Sequence, residues 1–337
     1  MSTLLLKRIA LAIPNIIGVV IVTFIMARLL PGDPAAFFAG PTADTATIER
    51  MRGEMNLDKP IPEQMLIYVG NLAHGDFGRS FVTGNAVLTD ILQRLPASLE
   101  LAMAALVIAV VVAIPLGILA ANAAGSWYDR IFCYVTSATA ALPTFFVGLV
   151  LLYVFYNVLA WVPAPTGRLP IFASTPKAYT GFLLIDSLIA GKLTTFYAAL
   201  SQLALPAISL ALSAVAPLAR LTRSLMIDTL SSDFIIAARA HGLSPFKVMF
   251  GYALQNILMS LLNILGMIFS FLVGATVLVE RIYGWPGIGS YAVQAVLSSD
   301  YAAVQGFVFA VATLYIIVNL LIDILAIIVD PRVRSMA

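Results

Sequence analysis

Long apolar runs alternate with short polar breaks along this chain, at Ile9 to Leu30, Leu99 to Ala121, Ile131 to Leu159, Leu203 to Met226, Asn256 to Val279 and Gly306 to Val329. Each is near the ~20 residues that carry an α-helix across a bilayer core. None shows the period-two alternation of a barrel strand, so the pattern predicts an all-α membrane protein of about six spans. Pro143 in the third run, and Pro206 and Pro217 in the fourth, remove backbone donors and predict bends. The first run follows Lys7 and Arg8, is too long for a signal-peptide core and is followed by no Ala-x-Ala site, so it reads as an uncleaved helix.

The polar stretches divide the chain into a first helix (1–30), a mixed region (31–98) and a five-helix core (99–337). Glu49, Arg50, Arg52, Glu54, Asp58 and Lys59 make the mixed region a solvated segment with some short helix. Between Val162 and Gln202 the residues Pro163, Pro165, Gly167 and Pro170 break the pattern. The run Gly181 to Ala190 is too short to span and reads as an interfacial or loop helix. Glu100 and Glu280 fall at span ends, where hydration is expected.

Composition agrees with this reading. The chain is 61% hydrophobic and 11% charged, with a mean hydropathy of +0.98; soluble domains carry about 25% charged residues. A net charge of +2 with scattered basic residues gives no footprint for nucleic acid. The single cysteine, Cys133, lies in an apolar run, which excludes a disulfide framework or a thiolate metal cluster and leaves a packing role. Short loops set orientation: with a cytoplasmic N-terminus, Lys7, Arg8, Arg130, Arg220, Arg223, Arg239, Lys247, Arg332 and Arg334 all fall inside. Both termini are then cytoplasmic, while 31–98, 162–202 and 281–301 face outward.

The polar interruption at 231–250 carries two helix-start signals. Ser231, Ser232 and Asp233 offer N-caps for Phe234 to His241, and Gly242 suits the position just past a helix end. Ser244 can cap again at once, with Pro245 at the first helical position. Ala237 and Ala238 permit close approach of another backbone, and Phe234, Leu243 and Phe246 can fill a groove. Two readings fit: a lever pushed by a partner, or an amphipathic loop lying on the membrane.

Ala237-Ala238, three residues and Gly242 resemble the EAA loop of permease subunits of bacterial ABC importers. Other stretches narrow the resemblance to the dipeptide, oligopeptide and nickel permeases. They are Leu30-Pro-Gly-Asp-Pro34, Leu57-Asp-Lys-Pro-Ile61, Gly75-Asp-Phe-Gly-Arg-Ser-Phe81, Arg94-Leu-Pro-Ala-Ser-Leu99, Trp285-Pro-Gly-Ile-Gly289, Asp300-Tyr301 with Val304-Gln305-Gly306, and Asn319-Leu-Leu-Ile-Asp323 before Asp330-Pro-Arg-Val-Arg334. The resemblance covers nearly the whole chain. Ile236 replaces the acidic residue that names the loop, and Ala326 stands where a tyrosine is expected.

The resemblance implies a type I importer permease in a bacterial inner membrane. Its implied partners are a second homologous permease, two cytoplasmic ATPases and an extracytoplasmic solute-binding protein. No Gly-x4-Gly-Lys-Ser/Thr phosphate loop occurs, so no cofactor is expected on this chain, with ATP and Mg on the partner ATPases. Asp233, Phe234, Ala237, Ala238, Arg239, His241, Gly242, Leu243, Ser244 and Pro245 are the implied coupling residues. Arg239 either pairs with an ATPase acid or only marks the cytoplasmic side, and His241 reads as a polar surface residue. Trp285, Pro286, Gly287 and Gly289 form an outward turn that either gates the pathway or meets the binding protein. Asp323, near Arg332 and Arg334, reads as a structural ion pair or cap. Peptides are the expected cargo, with nickel, glutathione or another small solute as alternatives. A proton- or sodium-driven transporter would need ionisable or broken-helix sites at the midplane, and a channel or scaffold leaves the elbow unexplained.

Overall fold

In the computed structural model, residues 2–29, 33–40 and 42–329 are described. The helices in chain order are α1 (Ser2–Leu29), α2 (Pro34–Ala39), α3 (Thr45–Glu54), α4 (Ile61–Ala73), α5 (Val87–Asn122), α6 (Trp127–Ala141), α7 (Thr144–Leu152), α8 (Leu183–Ile189), α9 (Leu193–Leu230), α10 (Asp233–Ala240), α11 (Leu254–Tyr283), α12 (Ile288–Leu297) and α13 (Tyr301–Val329). Tyr153–Val158 continues α7 and Lys247–Ala253 leads into α11, both as π-helix. Among the described residues, Val87–Asn122, Leu193–Leu230, Lys247–Tyr283 and Tyr301–Ile322 are long and apolar enough to cross a membrane. Trp127–Ala141 with Thr144–Val158 adds a fifth if the bent pair is one span.

That pair departs from expectation. Pro143 was expected to kink one span, but the two halves meet at 95°. Leu142 and Pro143 are both extended, so the helix ends and restarts rather than bending through a lost bond. α5 also begins at Val87, well before the expected Leu99, because Pro96 is accommodated within the helix.

The chain forms two compact units. One comprises the chain up to Pro96 with Gly287–Ile317, and the other Ala97–Pro286 with the chain from Val318. The first is centred on Val87, Ile91, Tyr291, Ala295 and Ala303, with Phe77 stacked edge-on to Phe309 at 5.2 Å. Within it, the Arg28 Nε donates to Gln64 Oε1 at 2.9 Å, joining α1 to α4. Asp33 caps α2 and pairs with Arg52, which holds its carboxyl below the usual carboxylate range. Ser80 donates to the buried Asp300 at 2.6 Å.

α9 is the spine of the second unit, with α6, α7, α8 and α11 packed on it. Small residues allow close approach, as expected where lipid supplies no hydrophobic drive for helix association. A Cβ on Gly117 of α5 would lie 2.6 Å from the Ala219 carbonyl oxygen of α9. One on Gly266 of α11 would strike Ile322 of α13. Glu100 and Glu280, expected to stay hydrated, are instead buried. Glu100 pairs with Arg168 at 2.6 Å and accepts from the Leu184 amide at 2.8 Å, while Glu280 accepts from Ser98 at 2.5 Å. The irregular stretch after α7 folds back over the helix ends and supplies Arg168, which a reading of single spans does not include.

Candidate functional site

The elbow at 231–250 forms because its stop and start signals are met in sequence. α10 begins after Ser232, whose hydroxyl bonds to the Thr229 carbonyl at 2.5 Å instead of capping. It ends in a Schellman closure: the Leu243 amide donates to Ala238 oxygen at 3.3 Å and the Gly242 amide to Arg239 oxygen at 2.9 Å. Gly242 stands at φ +77°, the left-handed geometry this closure requires. The Ser244 hydroxyl then accepts from the Lys247 amide at 3.4 Å, with Pro245 in the first turn. The second helix of the elbow is not a separate piece. It runs through the π-helical Lys247–Ala253 into α11.

Burial divides the elbow into a root and an exposed face. Ile235, Ala238 and Val248 are buried and Leu243 is half-buried. Asp233, Phe234, Ala237, Arg239, His241, Gly242, Ser244 and Pro245 are exposed, together with Ile236 and Phe246. Phe246 is 70% exposed and stacks on Phe250 at 4.7 Å, so the aromatic rings point away from the chain's own core. His241 Nδ1 lies 2.7 Å from the Ala237 oxygen, which ties the ring to the helix end. A groove of about 600 Å³ opens beside the elbow, lined by Asn122, Leu230, Arg239, Leu243, Pro245 and Met249 among others.

The turn at 285–289 lies at the other end of α11. Lys247–Tyr283 holds 37 helical residues, about 55 Å at ~1.5 Å per residue, so one helix separates the two candidate sites. Gly284 ends α11 at φ +63°. The Trp285 indole then folds inward, 2% exposed, and its Nε1 donates to the Ala97 carbonyl at 2.8 Å. Gly287 and Gly289 are also buried and Pro286 is exposed. Gly167 fits against this turn, since a Cβ there would lie 3.0 Å from the Gly284 oxygen.

Sequence reasoning missed the ion pair between Asp129 of α6 and Arg223 of α9. A carboxylate at the start of an apolar run was a usable signal, but its partner lies 94 residues away. The side chain of Asp323, with Arg332 and Arg334, lies outside the described residues. Among the described residues, no group of three or more His, Cys, Asp or Glu side chains could hold a metal.

Residues 113–335 match the family described as binding-protein-dependent transport system inner membrane component, and residues 1–102 match its N-terminal family. The chain is 39% identical over 316 residues to the probable D,D-dipeptide transport system permease protein DdpB of Escherichia coli K12, covering 94% of this chain and 93% of that one. It is 39% identical over 336 residues to the di/tripeptide transport system permease protein DppB of Pseudomonas aeruginosa UCBPP-PA14, covering 99% of each. To the dipeptide transport system permease protein DppB of Escherichia coli K12 it is 35% identical over 338 residues, again 99% of each. With its apolar spans and both family matches running end to end, the chain belongs to the binding-protein-dependent inner membrane components, the permease subunits of ABC importers, which are transport subunits and not enzymes.

Proposed function

We infer that this chain carries di- or oligopeptides across the inner membrane as one permease of an ATP-driven importer, with both termini in the cytoplasm. Six spans would place them there, counting α1 and the bent pair as one span each. The relatives named above supply the cargo class, since they are called peptide permeases. ATPase subunits would seat against the exposed face of the elbow, where Phe234, Ile236, Ala237, Arg239 and Phe246 stand free of the core. A second permease and an extracytoplasmic binding protein complete the assembly, and the ATPases hold the ATP and Mg. Pro286, the exposed residue of the outward turn, is the point where the binding protein or a gate would touch.

The observation that carries this reading is the continuity of the elbow with α11. A push on α10 reaches the apolar span through the Schellman closure at Gly242 and the helix that starts at Pro245. Only His241 to Ser244 lie between the two helical pieces. Such a joint transmits displacement, whereas a loop resting on lipid needs neither closure nor continuity.

The test purifies the tagged chain with its co-purifying proteins, places the assembly in proteoliposomes with the binding protein, and measures ATP-dependent uptake of Ala-Ala. Gly242→Val keeps the chain folded, since no atom lies within 4 Å of a Cβ there, but the φ of +77° strains the closure. Uptake is expected to fall at least ~10-fold while the ATPases still co-purify. Normal uptake by Gly242→Val would remove the elbow from the mechanism, and an active chain isolated without ATPases would remove the importer.

A further inference from the structure

The exposed face of α11 changes character halfway along. Asn256, Ser260, Asn263, Met267, Phe271, Gly274 and Leu278 are all exposed. They recur at steps of three or four, which lays them in one stripe along the helix. The half nearer the elbow is polar, with Gln255 beside Asn256, and the far half is apolar. Asn263 stands close to the middle of the 37 helical residues.

None of the side chains of Gln255, Asn256, Ser260 and Asn263 has a hydrogen-bond partner among the described residues. Other hydroxyls in the spans bond back to a carbonyl of their own helix, as Ser209 does to Leu205, Thr222 to Leu218 and Ser270 to Gly266. An amide facing hydrocarbon without a partner is strongly disfavoured. The middle of α5 shows the contrast: between Met103 and Leu119 its exposed residues are Met103, Val107, Val111, Val112, Pro115, Leu116 and Leu119, none with a polar side chain, as a lipid-facing surface requires. The polar half of α11 therefore faces something other than lipid.

We propose that Asn256, Ser260 and Asn263 line the water-filled translocation pathway and hydrogen-bond the backbone of the solute as it leaves toward the cytoplasm. The polarity is confined to the half nearest the elbow, as a vestibule open on that side requires, whereas a seam with a second permease would run the helix's length. The groups are neutral, and each amide both donates and accepts. They match a cargo whose side chains vary and whose peptide bonds do not. The helix that carries them begins at the elbow, so the same displacement that couples to ATP would turn this face. The solute class rests on the peptide-importer reading; the pathway assignment does not.

Cys133 is the only cysteine, so Cys133→Ala gives a cysteine-free parent. Single variants Asn256→Cys, Ser260→Cys, Asn263→Cys and, as a lipid-facing control, Val107→Cys are assembled with the ATPases and binding protein in proteoliposomes. They are treated with sulfonatoethyl methanethiosulfonate, which needs a hydrated thiolate. Labelling at the α11 positions is expected to be at least ~10-fold faster than at Val107→Cys, and Ala-Ala with ATP should slow it. Labelling as slow as at Val107→Cys, or ready disulfide formation with a cysteine on the second permease, would overturn the pathway assignment. Fast labelling that Ala-Ala leaves unchanged, in a parent that takes up Ala-Ala, would overturn the backbone contact. Ala-Ala uptake is measured separately in the parent; its absence there removes the peptide reading, while the labelling pattern still decides the pathway.

Discussion

Arg223 grips Asp129 at two points, Nε to Oδ1 at 2.5 Å and Nη2 to Oδ2 at 2.7 Å, and so clamps the start of α6 to α9. The carboxylate also accepts the Gly125 amide at 2.9 Å, closing the turn that leads into α6. The partners are unequally buried, with 25% of the Arg223 side chain exposed against 6% of Asp129. Removing the arginine strands a buried carboxylate, while removing the acid leaves a guanidinium that can reach water. Arg223→Met is therefore expected to destabilise by about 3–5 kcal/mol, and Asp129→Asn by less. Combining them should recover part of the loss. Thermal unfolding midpoints of the detergent-purified variants check the order, and a double variant as unstable as the sum of the singles would count against a direct pair.

Gly117 fixes how closely α5 approaches α9. An added Cβ would meet the Ala219 carbonyl at 2.6 Å and the Thr222 Cβ at 2.7 Å, and a backbone atom cannot rotate aside. Gly117→Ala is expected to destabilise by about 1–3 kcal/mol through overpacking, despite alanine's better helix propensity. Gly70, in α4, has nothing within 4 Å of its missing Cβ. Gly70→Ala should stabilise by about 0.5–1 kcal/mol. Unfolding midpoints that move in opposite directions would verify the contrast.

The helical architecture and the elbow were legible because both rest on local rules. Apolar runs long enough to span report helices, and Gly242, Ser244 and Pro245 each have a backbone requirement of their own. The burial of Glu100 and Glu280 was not legible: their partners Arg168 and Ser98 lie 68 and 182 residues away, and a span end looks the same with or without them. The proline at 143 announced a break, but its 95° angle depends on how α6 and α7 each seat on α9. The Trp285 turn was legible as a turn. Its inward indole depends on the Ala97 carbonyl, 188 residues away.

That indole gives a third prediction. Trp285→Phe keeps most of the apolar bulk but leaves the Ala97 carbonyl without this donor, an expected loss of about 1–2 kcal/mol. Trp285→Ala also opens a cavity and should lose about 3–5 kcal/mol. The other tryptophans, Trp127 and Trp161, are 74% and 72% exposed. In a Trp127→Phe, Trp161→Phe background the remaining fluorescence reports on Trp285 alone. Blue-shifted emission that resists acrylamide is expected, and ready quenching would place the indole in water.

Asp186, in the short helix α8, ties down the end of the irregular segment. Burial alone would raise its pKa, but hydrogen bonds from the Thr180 amide and hydroxyl, both at 2.8 Å, and from the Gly181 amide at 3.0 Å hold it below the usual carboxylate value. A carboxyl depressed in the folded state contributes stability above its ordinary pKa of about 4 and loses it as pH falls through the lower folded value. Amide exchange at Thr180 and Gly181 should thus stay slow at neutral pH and quicken on acidification below about 4, beyond the intrinsic pH trend of free amides. Asp186→Asn removes the titrating group, so its exchange should already be faster at neutral pH and should follow the intrinsic trend alone. An acid-dependent step that survives in Asp186→Asn would assign the transition to another group.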